Sequence, residues 1–197
     1  MRPEQFLSAL EKWEDRIRHL YLDTAKKGGV PTPNVTIGIG CLLPSLAAAQ
    51  ALPFMLSSGN PGEAVRPATL DEIQADWNRV RAMKPGFLAA HYQGHAAQLY
   101  LDDDAIDELA LVRLEEDCLP GLRRLFQGFD MLPDGVQYGC VDMDWNMGLG
   151  TLHTFVDFRA AIDRRDFKTA ARESHRAGVR AERNDWCRDQ IEGGATA

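Results

Sequence analysis

Tyr21-Leu22-Asp23-Thr24, followed by Thr36-Ile37-Gly38-Ile39-Gly40-Cys41-Leu42-Leu43, is the stretch whose reading decides the fold. Its second run alternates small or polar residues with β-branched ones, the pattern of a short strand over residues 35–40. Between the two runs, Lys26-Lys27-Gly28-Gly29-Val30-Pro31-Thr32-Pro33-Asn34 is too rich in glycine and proline to be helix and reads as a turn entering that strand. Upstream, Phe6, Leu7, Leu10, Trp13, Ile17, Leu20 and Tyr21 recur at three and four residue spacing. That spacing predicts one amphipathic helix from about Pro3 to Tyr21.

Glu14 falls on the apolar stripe of this expected helix. A carboxylate there is partly desolvated, which disfavours its charged form and suits a general acid. The same position also suits a carboxylate at the edge of the stripe, or one buried in an ion pair with an arginine of the last helix. Asp23, just past the expected helix end, either faces the same cleft or closes an Asx-turn. Thr36, Gly38 and Gly40 fall on one face of the expected strand. Glycines there let a sugar or another backbone approach closely, and a plain hairpin strand has the same look.

Downstream the signals are mostly helical. Residues 43–56 are rich in Ala and Leu, ended by Ser57-Ser58-Gly59-Asn60-Pro61-Gly62, and Thr69 with Glu72 forms a capping-box pattern for a helix to about Met83. Residues 87–101 stay ambiguous. Asp103 or Asp104 is expected to cap a helix reaching about Cys118, with Pro120 allowing a kink or restart toward Phe126. Further helices are expected over about 135–147, 152–163, 167–176 and 179–191, and residues 193–197 are expected to fray.

The 197 residues suit one compact domain, and no window approaches the roughly 18 apolar residues of a membrane span. A net charge of −7 argues against nucleic acid as a partner. It is unevenly spread: residues 102–117 carry eight acids against Arg113 alone, read as a solvated helix, while residues 159–188 hold nine of the 22 basic residues. The N-terminus enters an amphipathic pattern at once, without the apolar core of an export signal. Cys41, Cys118, Cys140 and Cys187 are too scattered for a metal site; buried free thiols are the favoured reading, with disulfides open in an oxidising compartment.

Glu14, Tyr21-Leu22-Asp23-Thr24 and the Thr36-to-Leu43 run together closely resemble the start of the phage-type lysozymes, glycoside hydrolase family 24. That family runs from a catalytic Glu seven residues to Tyr, two to Asp, then a T-x-G-x-G strand. Met143-Asp144-Trp145-Asn146-Met147-Gly148 looks like the family's buried central helix, and the resemblance continues in order through Phe155, residues 162–167, Ala170-Ala171 and residues 178–183. It covers about residues 5–43 and 130–190. The chain departs from the family at Asp15, usually Gly, at Cys41, often His, and in its longer segment before Thr36.

The resemblance implies a mostly helical α+β, lysozyme-like single domain over 1–197. A small β lobe (about 22–60) follows the first helix, and the larger helical lobe takes about 1–21 and 69–191. It implies a muramidase acting on the peptidoglycan glycan strand, with Glu14 as general acid and Asp23 and Thr36 orienting water in an inverting mechanism. Gly38, Leu42 and Trp145 would line the saccharide cleft, Trp145 equally fitting the core. Arg180 would pair with the catalytic Glu and hold it in place, with Arg183 a weaker candidate for that role, and Tyr21 is a further supporting residue. No metal or cofactor is called for. The chain is expected to act as a monomer on the cell wall after lysis or delivery, as an endolysin or an effector domain with a delivery or immunity protein as partner. The rival readings are an inactive glycan-binding module, a chitinase or chitosanase on the same fold, and a protein-interaction domain built on the acidic helix.

Overall fold

A computed structural model describes residues 2–23, 26–27, 30–31, 34–57, 65–93 and 98–194. The chain opens with α1 (Pro3–Leu10), then β1 (Ile17–Leu22), β2 (Lys26–Lys27), β3 (Val30–Pro31), β4 (Val35–Gly38) and β5 (Cys41–Leu42). After α2 (Leu46–Gln50) come β6 (Met55–Ser57), β7 (Arg66–Pro67), α3 (Leu70–Ala82), a 3-10 turn at Ala89–Tyr92 and β8 (Gln98–Tyr100). The remainder is helical: α4 (Asp103–Val112), α5 (Leu119–Leu125), a 3-10 turn at Phe129–Met131, α6 (Asp134–Met147), α7 (Leu149–Leu152), α8 (Val156–Asp163), α9 (Phe167–Glu173) and α10 (Ala181–Gly193). The architecture is α+β, mostly helical, with small antiparallel sheets. Among the described residues no helix is long and apolar enough to cross a membrane.

The chain divides into two compact units, residues 14–110 and residues 1–13 with 111–197. The small lobe expected at about 22–60 falls inside the first, which also takes residues 14–21 and 69–110 that were expected in the helical lobe. In that unit β1, β4 and β5 form a three-stranded sheet in the order β1-β4-β5, β2 pairs with β3, and β7-β6-β8 form a third sheet. Leu20, Leu22, Val35, Ile37, Phe54, Ile73, Trp77, Val80 and Ile106 make its core. Helix α3 starts where its capping box says it should: Thr69 Oγ1 accepts from Glu72 N at 3.3 Å and Glu72 Oε2 accepts from Thr69 N at 2.8 Å.

The helix expected to reach Tyr21 stops at Leu10. Its last backbone bonds tighten, Lys12 N to Ala9 O at 3.3 Å and Trp13 N to Leu10 O at 2.8 Å, and residues 17–22 turn into strand. Cross-strand pairing with β4 overrides the helical spacing, because Leu20 and Leu22 bury fully at period two. Two other expectations change similarly. The helix expected over 43–56 is only α2, capped by Ser45, and Met55–Ser57 is strand. At α4 it is Asp102, one residue before the two expected caps, whose Oδ1 accepts from Ala105 N at 2.8 Å. The turn residues Gly28, Gly29, Thr32 and Pro33, the loop through Gly62, and residues 195–197 lie outside the described residues.

At the start of the helical unit's second segment, a wide π-helical turn at Arg113–Cys118 leads into α5. Pro120 has no N–H and its ring would crowd the carbonyl of Glu116, so the wider turn falls where a regular one would be strained. The four later expected helices correspond to α6, to α7 with α8, to α9 and to α10, and all four cysteines are buried as free thiols. Helices α6 and α10 pack at glycines: a Cβ on Gly139 would stand 2.5 Å from Ile191 Cγ1, and one on Gly194 2.4 Å from Val136 Cγ2. Gly194 is therefore buried rather than frayed.

The same two helices close on buried charge. Asp142 in α6 is fully buried and pairs with Arg176 at 2.7 Å and with Arg183 of α10 at 2.8 Å. Asn184 fixes Arg176 by accepting from its N at 3.1 Å and donating to its carbonyl at 2.9 Å. Removing the carboxylate leaves two guanidinium groups facing each other away from water. Asp142→Ala is expected to cost about 3–5 kcal/mol of stability in urea unfolding, and a loss under about 1 kcal/mol would mean the charges are not interdependent.

Candidate functional site

The β1-β4-β5 sheet has one apolar face and one polar face, set by its register. Tyr21 stands opposite Thr36 and Leu22 opposite Val35, and the ladder continues one step past β1, where Asp23 N donates to Asn34 O at 3.0 Å. On the next pair Thr36 stands opposite Leu42 and Ile37 opposite Cys41. Directly opposed residues share a face and alternate residues swap faces. Leu22, Val35, Ile37 and Cys41 therefore point into the core, where all four are buried. Tyr21, Asp23, Thr36 and Leu42 come together on the other face.

On that face Leu42 is 52% exposed and Thr36 only 4%. Thr36 Oγ1 donates to Asn34 O at 3.3 Å, which spends its hydrogen and leaves the oxygen as an acceptor. Between Ile17 and Tyr21 the register shifts, a bulge that resets β1 before the polar face begins.

Glu14 is the first residue of this unit and sits half-buried on a bend, not on a helix. Its link to the sheet is electrostatic. Burial is the largest cause that pushes the Tyr21 phenol well above its usual value. The charges of Asp23 and then Glu14 push it further, with smaller pushes from Cys41 and Asp15. Both candidate carboxylates thus lie close enough to one phenol for each to oppose a phenolate there.

Gly38 and Gly40 adopt left-handed backbone, with φ of 63° and 68°, and form the β4–β5 corner. Strict alternation ends at Ile37, so the two glycines do not extend the Thr36 face. A Cβ on Gly38 would meet Ile106 Cγ2 of α4 at 3.3 Å, a tight contact. The close approach expected at this glycine is made by a core side chain.

The other two expected site residues lie in the helical unit. Trp145, 5% exposed, meets Phe6 edge-on at 5.8 Å and carries the Arg113 guanidinium 3.9 Å over its ring. It is a core residue of that unit. Arg180 is exposed at the N-terminal boundary of α10, and Arg183 is buried on Asp142. Asp142 and Arg176 escaped sequence reading, although one signal pointed there: Asp142 interrupts the apolar run Val136, Cys140, Val141, Met143, Trp145. No protein-family model matches the chain, and no curated protein matches it.

The Tyr21 phenol supplies a test of this geometry. Above pH ~10 the unfolded chain ionises Tyr21 while the folded chain resists, so stability present below that pH falls as pH rises. In tyrosine-labelled NMR titrations the Tyr21 phenol is expected to hold its proton well above the usual phenol range. Asp23→Asn and Glu14→Gln should each lower its midpoint. A midpoint unmoved by both variants would separate the two carboxylates from Tyr21.

Proposed function

We propose that the chain is a glycoside hydrolase of the lysozyme-like fold that cleaves the peptidoglycan glycan strand between N-acetylmuramic acid and N-acetylglucosamine. The observation that carries this reading is the juxtaposition of Asp23, Tyr21 and Thr36 on one sheet face, with the charge of Glu14 felt at the same phenol. The family motif supplies the roles, since the Glu-to-Tyr, Tyr-to-Asp and T-x-G-x-G spacings all hold in this chain.

Glu14 donates its proton to the glycosidic oxygen as the bond to the muramic acid C1 breaks. Asp23 accepts a proton from a water held between it and the Thr36 hydroxyl oxygen, and that water adds to C1 from the opposite face. The oxocarbenium-like charge is dispersed between the departing oxygen and the arriving one. An inverting pair of this kind needs roughly 6.5 to 9.5 Å between the carboxyl groups to admit the water. Leu42 forms an apolar lip beside Thr36, a surface against which a sugar ring can lie. Tyr21 does no proton transfer, because its phenol holds its proton throughout the neutral range.

Glu14→Gln is expected to abolish release of soluble fragments from purified peptidoglycan with its urea midpoint unchanged. Asp23→Asn and Thr36→Ala should each lose on the order of 10²-fold or more in rate, the range of a positioned acid-base group. Full activity of the Glu14→Gln protein would overturn the assignment of the acid.

A further inference from the structure

A cavity of about 250 Å³ lies in the 14–110 unit, with Arg18, His19, Asp76, Arg79, Gln93 and Tyr100 among its walls. Tyr21, Asp23 and Thr36 do not line it, although β1 contributes to both places. Its charged walls are held in fixed pairs. Arg79 donates from Nε to Asp76 Oδ1 at 2.7 Å and from Nη2 to the Tyr92 carbonyl at 2.7 Å. Arg18 grips Asp103 with Nε, at 3.2 Å, and with Nη2. His19 Nε2 lies 2.8 Å from the Ala89 carbonyl, which can only accept, so Nε2 carries the hydrogen.

These pairings decide what the cavity can hold. A ligand with a full negative charge would meet the Asp76 carboxylate in the wall, and one with a full positive charge would meet Arg18 and Arg79. Two guanidinium groups matched by two carboxylates leave the site near neutrality. What remains is a dense set of directional groups: the Arg18 Nη1 hydrogens, the Gln93 amide and the Tyr100 hydroxyl, the last two able to donate and accept. Leu99 and the Tyr100 ring add apolar surface. The volume lies just under the roughly 300 to 1,000 Å³ of pockets that take drug-sized molecules, which restricts the occupant to about one ring.

We propose that this cavity binds one uncharged pyranose ring, at a sugar site separate from the Asp23–Thr36 face. The proposal stands on the cavity and not on the hydrolase reading.

The probe is N-acetylglucosamine, titrated into the full-length chain and followed by the backbone amide signals of Ser57, Gln93 and Leu99, with inorganic phosphate in a parallel titration. Saturable shifts with the sugar and none with phosphate are expected, whether or not the amides of Tyr21 and Thr36 move. Gln93→Ala, at an exposed position, should raise the Kd roughly three- to tenfold, the effect of one lost hydrogen bond. The proposal is overturned if phosphate shifts these amides and the sugar does not, if neither does, or if Gln93→Ala leaves the Kd unchanged.

Discussion

Antiparallel pairing of Tyr21 with Thr36 is the constraint on which the 14–110 unit and its candidate chemistry both depend. It sends Leu22, Val35, Ile37 and Cys41 into the core and collects Tyr21, Asp23, Thr36 and Leu42 on the opposite face. Strand side chains have a period of two, so a slip of one residue would bury Asp23 and expose Leu22. The apolar core therefore holds the polar face in register. The corner at Gly38 and Gly40 ends β4, and it lets α4 press Ile106 into the space beneath Gly38. A side chain at Gly38 would be opposed by both its left-handed backbone and this contact.

The helical unit rests on a different kind of constraint. Helix α6 is buried nearly all round, and Gly139 and Gly194 let α10 lie directly against it. Asp142, set inside that contact, demands cations, and Arg176 and Arg183 supply them. Apolar contact alone would allow the helices to slide past one another. A buried carboxylate with two fixed partners penalises such slippage, because any displacement strands charge away from water.

How far the sequence could be read follows from how local each signal was. The capping box at Thr69 and Glu72 acts within one turn, and it located α3 closely. Helices α6 and α10 were located to within about two residues, because the glycines at 148, 150 and 178 punctuate that part of the chain. The run from Trp13 to Tyr21 misled because Ile17, Leu20 and Tyr21 fit helical spacing as well as a bulged strand. Only pairing with β4, a partner distant in sequence, decides between them. Tyr21, Asp23 and Thr36 were nonetheless legible as a group, since their spacing to a strand survives that change. Glu14 kept its place before the strand but lost its helix. The cavity walls were not legible, because Arg18, Asp76, Gln93 and Tyr100 come from separate elements that tertiary packing brings together.

The central claim is that this sheet face, with Glu14, hydrolyses a β-1,4 glycan with inversion. Its most direct test is a proton NMR spectrum recorded within the first minutes of digesting purified peptidoglycan with the wild-type chain. New reducing ends should be N-acetylmuramic acid, appearing first as the α anomer and only then mutarotating. Reducing ends formed first as the β anomer, or none at all, would contradict the account.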